Sequence, residues 1–516
     1  MGARPEVVLL RPDDNVVVAT RTLPAAHTVT VNGQQLSTAE LIRPGHKLAI
    51  TDVAEGEPIR KYGQVIGFAS RSIGQGEWIH VHNCSADVFA REYEYSVDVP
   101  PPPTATENRT FKGYVRSDGR AGTRNYIAII STVNCSASTS HLIARHFPAD
   151  ELERFGNVDG LLPVTHKGGC GMQYDGSDHH QMNRVLAGYA NHPNVGAYLL
   201  IGLGCEVGQA SHLLQTQKLV TIEGMEGSDR NGSPPVISIQ ETGGIRKTIE
   251  AGVAAIRNML PAANNVERTD VPASKLILGT QCGGSDGNSG ITANPALGLA
   301  ADQLVAQGGT AILGETPEIY GAEHILTRRA VTREVGEALI KRIRWWEEYT
   351  RMFNAEINNN PTPGNKEGGL TTIYEKSLGA IAKGGSTALS AVYEYAEPVT
   401  AKGFVVMDTP GYDPTSMTGI IAGGANICVF TTGRGSVYGS KPSPCIKIAT
   451  NTPLYERMED DMDINAGRIL AGTPLEEVGR EVFEEILAVA SGRQTKSEAQ
   501  GVGEEEFSPW VIGPVL

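Results

Sequence analysis

Aromatic residues make up only 6% of this 516-residue sequence, and cysteine occupies only seven positions. So few cysteines, odd in number, exclude a disulfide-built secreted scaffold and leave thiols, metal ligands or small buried side chains. No apolar run reaches the roughly 20 residues that a membrane-spanning helix needs. The first residues lack the layout of a secretory signal, so the cytoplasm is the expected compartment. Basic residues are outnumbered, 44 Lys and Arg against 58 Asp and Glu, and the net charge of −14 argues against nucleic acid or an anionic membrane as partner. No GxGxxG follows a strand and no GxxxxGK[ST] is present, which removes the nicotinamide dehydrogenase and phosphate-loop readings.

Glycine, by contrast, is abundant at 60 residues, and it punctuates the chain with tight turns and places of close backbone approach. A chain this long implies two or three domains. Asn15 to Thr20, His46 to Ile50 and Val65 to Ser70 are short β-rich runs with no room for a helix between them, a small all-β module. The four prolines 100–103 then mark an extended linker. Beyond it, Tyr126 to Thr132, Leu161 to Thr165, Ala197 to Ile201, Lys275 to Leu278 and Thr310 to Leu313 are nearly continuous apolar runs. They predict strands buried on both faces of a parallel sheet. Thr332 predicts the start of a helix, and Thr473-Pro474-Leu475-Glu476 predicts a capping box opening another.

Four cysteines share one context: Cys135, Cys170, Cys205 and Cys282 each follow such a strand. Loops at the carboxyl ends of parallel strands line a ligand-binding edge, so these thiols could meet there and hold iron, an iron–sulfur cluster or zinc. Simple packing of tight turns is the other reading, and no CxxC pair decides between them. Cys84, Cys428 and Cys445 are read as packing residues. His80 and His82, two apart on a strand, face one side and could reach one ion or carboxylate. His46 is read as a structural turn residue. His166, four residues before Cys170, is the expected general base. Pro363-Gly364-Asn365-Lys366 and Thr432-Gly433-Arg434-Gly435 read as loops presenting a cation to a carboxylate. Glu206, Asp286, Glu315, Glu318 and Asp463 are the acidic candidates.

Several long blocks resemble the altronate/galactarate dehydratases over essentially the whole chain. They are GHKLAITD (45–52), KYGQVIG (61–67), HVHN (80–83), GYVRSDGRAGTRN (113–125), IGLGCE (201–206), QCGGSDGNSGITANPALG (281–298), PTPGNKEGGL (361–370), EKSLG (375–379) and TTGRGS (431–436). The resemblance implies an α/β protein with an N-terminal all-β β-clip (SAF) module at 1–96 and a Pro-rich linker at 97–110. An α/β dimerisation domain at 111–270 and a C-terminal domain at 271–516 with a Rossmann-like, mainly parallel sheet would follow. It implies a homodimeric hydro-lyase that removes water from a sugar acid and depends on iron, as Fe²⁺ or a labile iron–sulfur cluster, with Mn²⁺ as a substitute. The site residues it implies are His166, Lys366 and Arg434 for catalysis and His80, His82, Asn365 and Lys447 for substrate. Cys135, Cys170, Cys205, Cys282 and Glu206 would hold the metal. D-altronate, giving 2-keto-3-deoxy-D-gluconate, is the expected substrate because of the HxHN ending of the β module, while MDIN at 462–465 leans toward galactarate. A sulfolactate sulfo-lyase and a non-enzymatic sugar-acid-binding protein are the remaining alternatives.

Overall fold

The computed structural model describes residues 5–87, 92–219 and 235–513. Valine-rich runs and two-residue turns build the first part. Val16–Ala19 lies between Val7–Val8 and Lys47–Ala49, with Trp78–Ile79 beyond, in one antiparallel sheet. Thr28–Val31 and Gln34–Ser37 form a hairpin whose turn residues, Asn32 and Gly33, both have positive φ, as a tight hairpin turn requires. Pro58–Lys61, Gln64–Ala69 and Cys84–Ser85 complete the module. It is the all-β module expected.

This module is seated firmly on the last third of the chain. Lys47 and Lys61, both buried, converge on the buried carboxylate of Glu375 at 2.8 and 2.9 Å. Beside this triad the backbones touch: a Cβ on Gly287 would lie 1.9 Å from the Gly45 carbonyl oxygen. The segment leading into the prolines is not a free tether either. Ser96 and Asp98 donate their backbone N–H groups to the carbonyls of Thr327 and Arg328, and Arg328 pairs with Asp98 at 2.6 Å.

Two parallel sheets follow. In the first, Gly160–Val164, Tyr126–Ser131, Val195–Gly202 and Val236–Ser238 lie side by side in that order. Thr110–Val115 pairs antiparallel with Thr269–Pro272, so the two ends of this region leave together. The second sheet has seven parallel strands, in the order Leu389–Tyr393, Gly403–Met407, Thr310–Leu313, Ile277–Cys282, Ile427–Thr432, Cys445–Ala449 and Ile464–Asn465. Its central strands are buried on both faces, which explains their unbroken apolar sequence.

Helices Ser177–Ala190 and Asp413–Ala422 join the sheets. Gly188 sits against the backbone of Ala422 at their carboxyl ends, where any side chain would clash. At their amino ends the C-terminal segment bridges them, Ser508 bonding Thr415 and the Ile512 amide bonding Asp178. The helices therefore run in the same direction, and both sheets turn their carboxyl edges to one side of the molecule. Two local expectations change. Thr473 makes no capping bond, and the helix Leu475–Ala490 starts after Pro474. Pro363 to Lys366 are not an open loop: Pro363–Glu367 is a short helix capped by Thr362.

Candidate active site

The chain leaves the central strand Ile277–Cys282 toward one edge of the seven-stranded sheet and later returns to build the other, beginning with Ile427–Thr432. Such a reversal opens a crevice at the carboxyl ends of the two strands. A cavity of about 530 Å³ lies there, between that edge and the β module. Its walls include Asp286 and Asn288 after the central strand, Gly433 and Arg434 after Ile427–Thr432, and Asn451 after Cys445–Ala449. The β module supplies Arg21, Arg43 and His46, and Arg457 completes a set of four arginines. Arg21 pairs with Glu6, and Arg434 with the exposed Glu367 at 3.1 Å. No carboxylate among the described residues pairs with Arg43 or Arg457. For a protein of net charge −14 this is a strong local concentration of positive charge.

Asp286 is buried and fixed by the hydroxyls of Thr450 and Ser289 and the amides of Asn288 and Asn451. Burial raises its pKa. The side-chain oxygen of Asn288 and the hydroxyl of neighbouring Ser285 are buried without any partner, an expensive condition that a ligand's hydroxyl groups would relieve. His46 accepts a hydrogen bond from the Trp78 indole on Nδ1 and donates from Nε2 to the Glu367 carbonyl. Burial lowers its pKa to about 4, so it is neutral.

Next along the same edge is a buried group of opposite charges. Cys282, Glu315 and Glu318 lie with one ligand atom each within 4.8 Å of one another. Lys383 pairs with Glu315, and Lys376 with Glu318 at 2.7 Å. Two ammonium groups thus already neutralise the two carboxylates, which leaves little electrostatic attraction for a divalent cation. Burial pushes Glu315 up to about 7 and, helped by Glu318, Asp413 to about 6. The Cys282 thiol is pushed well above its ordinary range by burial and the nearby Glu315. It stays protonated and is poorly suited to bind a metal.

The residues expected from sequence separate. Arg434 lines the cleft; Lys366 lies on the short helix leading to it, its ammonium without a hydrogen bond or ion pair among the described residues. Asn365 is turned inward, closing the capping box and holding the Ser285 carbonyl. Lys447 is buried against Tyr438 and Ser497, away from the cleft wall. His80 stacks on Trp78 at 4.8 Å and lies 5.2 Å from His46, and His82 flanks the same indole, so the histidine pair stands behind the cleft. His166 has both ring nitrogens engaged, Nε2 with the Ser131 carbonyl and Nδ1 with the Gly168 amide. It braces a loop and offers no free lone pair, unlike the base expected. Cys135, Cys170 and Cys205 are exposed on the four-stranded sheet, whereas Cys282 is buried on the seven-stranded one, so the four thiols do not converge. Glu206, expected as a ligand, commits its oxygens to Thr132, Leu203 and Gly204. Arg21, Arg43, Arg457, Lys376 and Lys383 were missed. The lysines had a signal: two cations inside the apolar stretch IYEKSLGAIAKGG, where an uncompensated charge would not be buried.

An anion-binding cleft at a strand edge, next to buried acids and lysines, defines an α/β enzyme that moves protons on a small anionic substrate. Comparison with known proteins narrows this. A family model described as the altronate/galactarate dehydratase SAF domain matches residues 5–87. The D-galactarate dehydratase/altronate hydrolase second domain matches 113–264, and the D-galactarate/altronate dehydratase C-terminal domain matches 273–515. An altronate dehydratase of Bacillus subtilis (strain 168) is 36% identical over 95% of this chain and 96% of its own. One of Escherichia coli (strain K12) is 34% identical over 94% and 95%. A galactarate dehydratase (L-threo-forming) of Escherichia coli (strain K12) is 38% identical over 89% and 88%. The chain belongs to the altronate/galactarate dehydratase family and is a sugar-acid dehydratase, a hydro-lyase.

Proposed function

We propose that this dehydratase acts on D-altronate and releases 2-keto-3-deoxy-D-gluconate. The arginine-walled cleft carries the reading. A sugar acid offers one carboxylate and several hydroxyls, and the cleft offers Arg43, Arg434 and Arg457 beside the unpartnered side-chain oxygen of Asn288. The near full-length match to two altronate dehydratases supports an aldonate, and the HxHN ending of the β module, His80 to Asn83, leans the same way. Arginines on both walls favour a second reading, the dicarboxylate galactarate.

In this reading Arg434 and its neighbours hold the carboxylate. The same cations stabilise the enediolate that forms when the adjacent carbon loses its proton. Asp286, fixed at the end of the central strand, takes that proton, and Lys366 protonates the departing hydroxyl. Iron, implied by the resemblance, would supply a Lewis acid; Cys282 and Glu206 are otherwise engaged, so the exposed Cys135, Cys170 and Cys205, after three adjacent strands, are the expected ligands left to hold it.

An anaerobic screen of altronate, galactarate, glucarate and sulfolactate with Fe²⁺, assayed for 2-keto acid and sulfite, tests the proposal. Altronate is expected to give the highest kcat/KM. Preference for galactarate would install the second reading, and sulfite release from sulfolactate would overturn both.

A further inference from the structure

The sugar-acid cleft lies at the carboxyl ends of the strands. A second and larger cavity, of about 770 Å³, opens at their amino ends, in the joint between the two α/β regions. Lys275 stands just before strand Ile277–Cys282 and Lys402 just before Gly403–Met407, and both line it. From the other region come Gln217 and Lys218. The block GYVRSDGRAGTRN (113–125), which the cleft does not use, contributes its turn from Asp118 to Arg120 to the wall. The length of strand Ile277–Cys282, roughly 15–20 Å, separates this cavity from the cleft.

The wall is cationic: Arg120, Arg184, Lys218, Lys275 and Lys402 stand against the single acid Asp118. Both guanidinium groups are already engaged, Arg120 with Asp118 at 2.7 Å and Arg184 with Glu394 at 3.3 Å. None of the three lysines pairs with a carboxylate among the described residues. Lys402 donates to the Ser274 carbonyl at 2.7 Å, which brings its ammonium beside Lys275. Burial and that neighbour lower the Lys402 pKa. Two like charges held close together are costly, and an anion between them would relieve the cost. Nor do the lysines cap the helices Ser177–Ala190 and Asp413–Ala422 that end here. Backbone amides already meet those last carbonyls: Asn191 bonds Ala187, His192 bonds Tyr189, Gly423 bonds Gly419 and Gly424 bonds Ile421.

The free cations decide the chemistry of the anion. A carboxylate is bound best by the planar fork of arginine, as in the cleft, whereas lysine binds phosphate as a point charge. Between the lysines, Ile277, Val399 and Ala422 give the cavity an apolar wall that a bare inorganic ion would leave uncovered. A phosphate monoester carries a charge of about −1.5 to −2 at neutral pH and has a carbon body to lay on that wall. We infer that this cavity binds a small phosphate monoester, its phosphate held by Lys275, Lys402 and Lys218, which clamps one α/β region to the other. The site is separate from the cleft, and the inference does not depend on which sugar acid is the substrate.

The test titrates the full chain with glucose 6-phosphate by isothermal calorimetry, with inorganic phosphate and gluconate as comparison probes. The ester should bind more tightly than either. Lys275→Ala combined with Lys402→Ala should weaken it by roughly tenfold or more, whereas Arg434→Ala in the cleft should leave it unchanged. Both lysines are exposed, so the double variant should keep its melting temperature. A measurement on the unaltered protein stands beside it: acetylation of Lys275 and Lys402, read by mass spectrometry, should slow when the ester is present. A saturating sugar acid should not restore it. No binding of the ester up to about 10 mM, undiminished binding by the double variant, or loss of binding in Arg434→Ala would overturn the inference. So would inorganic phosphate or gluconate bound as tightly as the ester. None of these outcomes alters the substrate screen.

Discussion

Arg434 stands where the Thr432-Gly433-Arg434-Gly435 loop leaves the sheet and meets the cleft, its guanidinium paired with the exposed Glu367. An exposed pair of this kind contributes little to stability, so removing the arginine should leave the fold intact. A charge-assisted contact to the substrate carboxylate is worth about 1.5–3 kcal/mol. Arg434→Ala should therefore lower kcat/KM by roughly 10- to 100-fold, mostly through KM, with an unchanged melting temperature. Arg434→Lys should recover only part, because an ammonium cannot bind a carboxylate through a planar fork. Steady-state kinetics on the preferred sugar acid check this, and an unaffected KM in the alanine variant would remove Arg434 from the substrate's path.

At the level of elements, the two predicted helix starts diverge and can be measured. Thr332 caps helix Arg333–Met352 through a bond from the Val335 amide, whereas Thr473 caps nothing. Thr332→Ala should cost about 1 kcal/mol, and Thr473→Ala should stay within about 0.5 kcal/mol, both by denaturant titration. The same contrast shows what was legible. The strands announced themselves, since Tyr126–Ser131 and Ile277–Cys282 are buried on both faces and must be apolar throughout. The docking of the β module was not legible, because Lys47, Lys61 and Glu375 meet across more than 300 residues, and each alone resembles a surface charge. Arg43 joins Arg434 and Arg457 only once the module is seated. Buried charge triads are costly to break: Glu375→Gln should lose about 3–5 kcal/mol, because two ammonium groups are left unpaired. Replacing all three by apolar residues of similar size should recover most of that loss. Chemical denaturation compares the two variants, and equal loss in both would show that packing, not charge, holds the module.

Across the whole molecule, four buried histidines hold the parts in place only while neutral. His46 and His80 stand at the seat of the β module, His166 clamps the loop of Cys170, and His192 bonds the Ala425 carbonyl between the two α/β regions. Burial lowers His46 and His166 to about 4 and His80 and His192 to about 3. An unfolded histidine titrates near 6.5. Below that value the unfolded chain binds protons that the folded chain refuses, so stability falls as the pH falls from about 6.5 toward 4. Each histidine contributes a loss of up to about 2 kcal/mol at pH 5. Glu315 and Asp413 act in the opposite sense, since their folded values, about 7 and about 6, lie above the usual carboxylate range. They gain protons more readily when folded, as do Asp286, Asp408 and Asp463, which burial also raises, and together they offset part of the loss that the four histidines impose. The melting temperature should therefore drop steadily between pH 7 and pH 5, with His192→Gln less sensitive than the unaltered protein once its own fixed cost is subtracted. Thermal melts at constant ionic strength decide the matter, and a flat profile across that interval would show that these imidazoles accept protons without leaving their seats.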